Sequence, residues 1–337
     1  MRLGRRALLA GFAAMPLAAR AESIGSHIGG IARLDPALDD VVAADSPIQV
    51  LGSGYGWAEG PVWVRQGGYL LFSDVPGNIV WRWREGRPPE RFLDPSGHAR
   101  PVPDGIREGG ANGLAIDGDG RLLLADSGNR NLQRLDLQSG ARTVLASHWQ
   151  GKRFNSPNDL VVAKDGAIYF TDPPYGLADG DKSPLKELEF NGLFRLGPDG
   201  VLSLLDRSLH RPNGVALSPD GLTLYLALSD EARPEILAYV LGADGMPQGA
   251  PRLFRSFADE AKAKQPGLPD GLTTDREGRV YATGPGGVNV LTPDGKLLGR
   301  ISTGFPIANC AFGEDGRTLF LTSWKLLARV RLKAAGW

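Results

Sequence analysis

The sequence predicts an all-β fold, a six-bladed β-propeller, and three observations carry that prediction. A short pattern recurs six times along the 337 residues: a small residue, a polar residue, usually Gly, an apolar strand, a turn and a second apolar strand. Gly (46) and Pro (25) are abundant and spread throughout, and no long helical amphipathic period survives between them. The turns between the paired apolar runs are Asp-Gly at 119–120, 165–166, 220–221 and 315–316 and Glu-Gly at 277–278, the chemistry of tight hairpins.

The copies follow in order. "AEGPVWVRQGGYLLFSD" begins at Ala58, "ANGLAIDGDGRLLLADS" at Ala111, "PNDLVVAKDGAIYFTDP" at Pro157 and "PNGVALSPDGLTLYLALS" at Pro212. "PDGLTTDREGRVYATG" begins at Pro269 and "ANCAFGEDGRTLFLTS" at Ala308. A second hairpin often follows, as in "LQRLDLQSGARTVLA" (132–146) and "VNVLTPDGKLLGRIS" (288–302), so one copy makes a four-stranded blade. The spacing of 39 to 57 residues suits one blade per copy. The last copy has room for only one more strand, "LLARVRL" at 326–332, while the strand-like "PIQVLGS" (47–53) precedes the first. That segment is expected to supply the missing outer strand, closing the ring and removing an exposed sheet edge. The expected domain is a single propeller over residues 45–332.

Residues 1–21 belong to another category. A basic start with Arg5 and Arg6, an apolar run from Ala7 to Ala19 and an Ala-Arg-Ala end read as a removable export signal. The run is too short to span a bilayer comfortably, so no stable membrane anchor is expected after its removal. The Arg pair resembles a twin-arginine signal, with an ordinary secretory signal as the alternative, and either places the protein in the periplasm or outside the cell. Removal takes away four arginines and no acid, leaving 34 basic against 38 acidic side chains, a net charge of −4. The full chain is neutral, which gives no electrostatic case for binding nucleic acid or a membrane surface. The sole cysteine, Cys310, excludes an intramolecular disulfide and reads as a core or channel-lining residue. Oligomeric state is not legible.

The polar residue of each copy lines up as Glu59, Asn112, Asn158, Asn213, Asp270 and Asn309. Innermost propeller strands surround a central channel, so six chain-distant polar groups should face one point at its mouth. Two carboxylates and several amide oxygens around one point call for a divalent cation. Hard oxygen donors favour calcium, with magnesium or manganese as alternatives and zinc the poorest fit. The competing reading is that each Asn or Asp caps a strand start by bonding local backbone. The longest insertions, Asp94 to Gly110, Asp172 to Gly192 and Phe257 to Leu268, fall at the same end and suit a substrate pocket.

"AEGPVW", "SPNDLVV", "PNGVALSPDG" and "LPDGLTTDREGRVYATG" resemble the blade-start motifs of the gluconolactonase and regucalcin-like family of six-bladed propellers. The similarity covers about residues 45–332. It implies a lactonase that hydrolyses sugar lactones with one divalent cation, usually calcium, in the channel. It also implies Glu59, Asn158, Asn213 and Asp270 as the metal ligands. Regucalcin carries an arginine two residues before the amide matching Asn158; here that place is Ser156, with Arg153 nearby, so that contact does not carry over directly. None of the four histidines stands at the repeat address, so the histidine pair of paraoxonase-like relatives has no counterpart. His98, in a long mouth loop, is at most a substrate contact; Asn112, Arg153 and Tyr175 complete the expected substrate-binding set.

Opening an ester ring needs a Lewis acid on the carbonyl oxygen and a base for water. Asp270 is the first candidate base and Asp159 the second. Asp159 stands where four of the other five copies have Gly and the fifth has Cys310, so it is expected either to bond neighbouring backbone or to lean into the mouth. Two rival classes remain: a same-scaffold hydrolase of another cyclic ester or a phosphotriester, and a non-catalytic propeller that binds a ligand or partner.

Overall fold

Each sequence copy folds into the innermost strand pair of one antiparallel sheet in the structure, a computed structural model that describes residues 23–336. The export-signal reading of residues 1–21 lies outside the described residues. Blade one is built from Ala58–Val64, Tyr69–Asp74, Ile79–Trp83 and Glu90–Leu93. Blade two runs Ala111–Ile116, Leu122–Asp126, Asn131–Leu135 and Arg142–Ala146. Blade three contains Leu160–Val162, Ile168–Asp172, Asn191–Leu196 and Leu202–Leu209. Blade four contains Pro212–Leu217, Thr223–Leu228, Glu235–Val240 and Arg252–Ser256.

Blade five contains Leu272–Thr274, Val280–Gly284, Gly287–Leu291 and Leu297–Ser302. Blade six takes Asn309–Gly313, Thr318–Ser323 and Leu326–Arg331 from the end of the chain and its outer strand, Ile48–Ser53, from the start. Ile48 faces Val330 and Gln49 faces Arg329 in an antiparallel register, so the expected ring closure is present. The glycines of the five hairpin turns hold φ between 79° and 88°, the left-handed region that a side chain resists.

The folded unit extends past residues 45–332 at both ends. Gly30–Arg33 adds a fifth strand to blade five, with Gly30 opposite Ser302. Leu38, Val41 and Val42 are buried against blades five and six, and the N–H groups of Lys333 and Ala334 donate to the Val41 carbonyl. The four residues Gly-Ile-Ala-Arg carry too little alternation to announce a strand. Between blades the apolar faces interdigitate. Leu123 and Ala125 of blade two, for instance, share a cluster with Phe154, Phe170 and Phe194 on the blade-three side, whose rings pack at centroid distances of 5.3–5.4 Å. Each such buried ring contributes about 1.5–3 kcal/mol relative to exposure.

In blades one, two and four the register of the inner strand slips just after its start, between Glu59 and Val62, Ala111 and Leu114, and Pro212 and Val215. Such bulges re-aim the side chain at which they occur. Blade six keeps an even register from Asn309 to Gly313.

Candidate metal and active site at the channel mouth

Adjacent inner strands touch where the repeat places its polar residue. Gly113 N–H donates to the Asn158 carbonyl and Gly271 N–H to the Ala308 carbonyl, both at 2.7 Å. Hydroxyls on or just after the second strands of blades one, three, four and five reach the next blade: Ser73 Oγ donates to Asn112 O, Thr171 Oγ1 to Asn213 O, Ser229 Oγ to Pro269 O and Thr283 Oγ1 to Ala308 O, at 2.5–3.0 Å. A Cβ added to Gly214 would lie 2.1 Å from Asp270 O, and one on Gly60 2.2 Å from Asn112 O. The glycine that follows most ring residues is therefore a packing requirement of a narrow channel.

Glu59, Asn112, Asn158, Asn213 and Asn309 are all buried, between 4% and 7% exposed, whereas Asp270 keeps a path to solvent. Glu59 accepts from Trp57 Nε1 at 3.4 Å and from Gly60 N at 3.1 Å. Burial first, then the charge of Asp159, pushes its carboxyl up to about 8. Desolvation and the charges of Glu59 and Asp159 likewise hold the Asp270 carboxyl well above the usual carboxylate range. Asn213 Nδ2 donates to Ser229 Oγ at 2.8 Å, which leaves its amide oxygen as the unused group. The side chains of Asn112 and Asn158 have no hydrogen-bond partner among the described residues. Asn309 differs: its Oδ1 accepts from Cys310 N at 2.8 Å, the strand-cap arrangement.

Asp159 bonds neighbouring backbone. Its Oδ1 accepts from Leu160 N at 2.9 Å and its Oδ2 from Val215 N, one blade away, at 3.2 Å. Burial raises its carboxyl to about 6. Cys310 is buried in the core with its thiol pushed up by burial, as expected of a packing residue.

Two acids outside the ring fix its approach. Asp172 accepts from Asn155 N and Ser156 N, three and two residues before Asn158, each at 2.8 Å. Asp74 does the same for Gly56 and Trp57, three and two residues before Glu59, at 3.0 and 3.2 Å. Sequence reasoning missed this pair, and the recurring acid in "FSD" and "FTD" was the available signal. Ser156 is fully buried: its Oγ donates to Pro173 O at 2.6 Å and accepts from Gly176 N at 2.9 Å. The position thus ties down the 172–192 loop rather than reaching into the mouth.

Two of the three long loops, 94–110 and 172–192, meet. Ile106 bridges Leu177, and Arg107 N–H donates to Gly176 O at 2.8 Å. Tyr175 O–H donates to Arg211 O at 3.1 Å, two residues before Asn213, and its hydroxyl feels the charges of Asp270 and Glu108, which places it on the Asn213 side of the ring. His98 and Arg153 bond elsewhere than the ring residues. The His98 ring pairs with Ala99 O, and Arg153 Nη2 donates to Asn129 O on the short ribbon His148–Trp149 and Lys152–Arg153. Glu108, unread in the sequence, joins the group through its charge on Glu59 and Asp270.

Among the described residues no three His, Cys, Asp or Glu side chains are placed to share an ion. A cation here would need amide oxygens as well as carboxylates. The donor set fits that requirement: buried Glu59 and partly exposed Asp270 stand in the ring with the unpartnered amides of Asn112 and Asn158, the Glu59 charge raises Asp270, and among the described residues no ammonium or guanidinium pairs with either carboxylate. Hard oxygens of this kind suit calcium.

A six-bladed propeller with this acid-and-amide ring and its relatives define an enzyme of the hydrolase class. The profile of the SMP-30/Gluconolactonase/LRE-like region matches residues 57–325, and the chain belongs to that family. A gluconolactonase of Zymomonas mobilis is 47% identical over 95% of this chain and 90% of its own length. The solved gluconolactonase of Xanthomonas campestris is 33% identical with a TM-score of 0.78, covering 92% of this chain and 99% of that one. A calcium-binding regucalcin from Agrobacterium tumefaciens, 19% identical with a TM-score of 0.66 over 92% of this chain and 96% of its own, shares the fold.

Proposed function

We propose that the protein is a calcium-dependent lactonase that opens a sugar lactone of the aldonolactone class. One observation carries the reading: desolvation and the charges of Glu59 and Asp159 raise the proton affinity of Asp270, and burial and the charge of Asp159 raise that of Glu59, at a ring whose Asn112 and Asn158 side chains have no hydrogen-bond partner among the described residues, an arrangement that a divalent cation would relieve. The 47% identity to a gluconolactonase supports the substrate class.

Glu59, Asn158, Asn213 and Asp270 would hold the cation, which would supply Lewis acidity toward the lactone carbonyl. Asp270, with its path to solvent, takes the proton of the attacking water. The water oxygen bonds to the carbonyl carbon, the ring C–O bond breaks, and the proton passes to the departing alkoxide. Asn112 and Tyr175 orient the ring. Asp159 holds the two inner strands together and leaves the proton transfer to Asp270. Residues 1–21 direct the chain out of the cytoplasm by the twin-arginine route. Assay of calcium-loaded protein against aldonolactones, aliphatic lactones and phosphotriesters tests the reading; turnover confined to phosphotriesters, or none at all, would overturn it.

A further inference from the structure

Glu108 has a carboxylate oxygen that neither the fold nor the ring uses. It lies four residues before Asn112 in the loop between blades one and two. That loop is fixed by the Ile106–Leu177 bridge and by the N–H groups of Arg107 and Glu108, which donate to Gly176 O at 2.8 and 3.3 Å. Oε1 receives Arg107 Nη2 at 3.3 Å. Oε2 is buried with no hydrogen-bond partner.

Arg107 Nη2 donates both to Glu108 Oε1 and to Tyr175 O, which fixes the carboxylate beside Tyr175 at the mouth, and its charge bears on Glu59 and Asp270. It does not join Glu59 and Asp270 as a third ionic ligand. Burial pushes its carboxyl up to about 7. A buried acceptor left unmatched is costly, and a ligand that brings a donor removes that cost. An unsubstituted lactone ring has no donor to offer, whereas a polyhydroxylated one has several.

We propose that Glu108 accepts a hydrogen bond from a substrate hydroxyl and makes the mouth select polyhydroxylated lactones over unsubstituted ones. The inference rests on the lactonase reading above and adds the residue that sets its substrate class.

The test compares D-glucono-δ-lactone with δ-valerolactone on wild type, Glu108→Gln and Glu108→Ala, with thermal unfolding and calcium affinity measured on each. The expected result is a fall of about 10- to 100-fold in the ratio of kcat/KM for the two lactones, the size of one charge-assisted hydrogen bond. Calcium affinity should stay within about threefold. Losses in equal proportion on both lactones would overturn the proposal. Binding of 1,5-anhydro-D-glucitol, which has the hydroxyls and no ester, separates this proposal from the lactonase reading. If wild type hydrolyses neither lactone, the lactonase reading fails, and calorimetry with this polyol still decides the role of Glu108. Weaker binding to both variants supports it; equal binding, or none to wild type, overturns it. Should Glu108→Ala fail to fold, the isosteric Gln variant carries both measurements.

Discussion

The Asp172 carboxylate accepts the backbone N–H of Ser156 at 2.8 Å, two residues ahead of Asn158, and so sets the angle at which that amide enters the channel. Asp172→Asn places an amide NH2 against one of the two backbone N–H groups it now satisfies. The expected cost is about 1–3 kcal/mol of stability, with calcium affinity falling on the order of tenfold. Denaturant unfolding and calcium calorimetry on the variant check both. Unaltered calcium affinity in a destabilised variant would show that Asp172 supports the fold alone.

Removing a ring charge should act on metal and turnover together. Glu59→Gln and Asp270→Asn are each expected to weaken calcium binding and to abolish most lactonase activity, while stabilising the chelated protein by relieving their mutual repulsion. Calorimetry with calcium and melting curves in chelator provide the readouts. Full activity of exhaustively chelated wild type would falsify the metal assignment.

The raised carboxyls give stability a direction with pH. Glu59, about 8 in the fold against 4.5 ordinarily, binds its proton more tightly when folded. Its contribution is therefore complete below about pH 4.5 and lost as pH rises through about 8. Asp159, Asp172 and Glu108, raised to about 6, 7 and 7, act in the same direction. Calcium-free protein should lose melting temperature steadily from about pH 5 to pH 8.5, and Glu59→Gln should reduce that slope. Equal slopes in wild type and variant would contradict the buried ionisation of Glu59.

Asp159→Asn distinguishes a strand clasp from a base. Its two backbone hydrogen bonds predict a lower melting temperature at pH 8, with calcium affinity and kcat per folded molecule largely retained. A loss of kcat by a factor of about 10²–10⁴ at unaltered melting temperature would instead make it the general base.

Export is tested by the precursor. Arg5→Lys combined with Arg6→Lys should strand it in the cytoplasm if the twin-arginine route is used. Undiminished accumulation outside the cytoplasm would point to the ordinary secretory route.

Much of this was legible because a propeller repeats its address. The alignment of Glu59 with Asp270 across 211 positions needed only the register of the copies, and that register is also what the channel geometry uses. Side chains that act across the repeat were harder to find. Asp74 and Asp172 end their strands in the sequence, yet their work is to receive backbone N–H groups of the preceding loop, which only folding brings within reach. Glu108 lies in an insertion with no counterpart in other copies, so no register pointed to it. Arg153 was drawn toward the mouth by its nearness to Asn158 in sequence, but the short ribbon on which it lies directs its guanidinium to Asn129 O. Asn309 shared the ring address, while its Oδ1 accepts from the next residue of its own strand and its side chain also bonds the Asp159 carboxylate.

The outer strand of blade six has a consequence for the order of assembly. Gln49 and Arg329 join through their side chains across 280 positions of chain, so the earlier strand waits for one that follows five whole blades. On the ribosome, Ile48–Ser53 emerges before all five of the blades that separate it from Leu326–Arg331 and waits through their synthesis without its partner. Closing so long a loop is slow compared with forming the local hairpins of each blade. The nascent chain can therefore build five blades and still be an open arc, and the ring of acids and amides becomes a single site only when the sixth blade has closed. A cation offered early would meet scattered ligands; one offered late would meet a finished mouth.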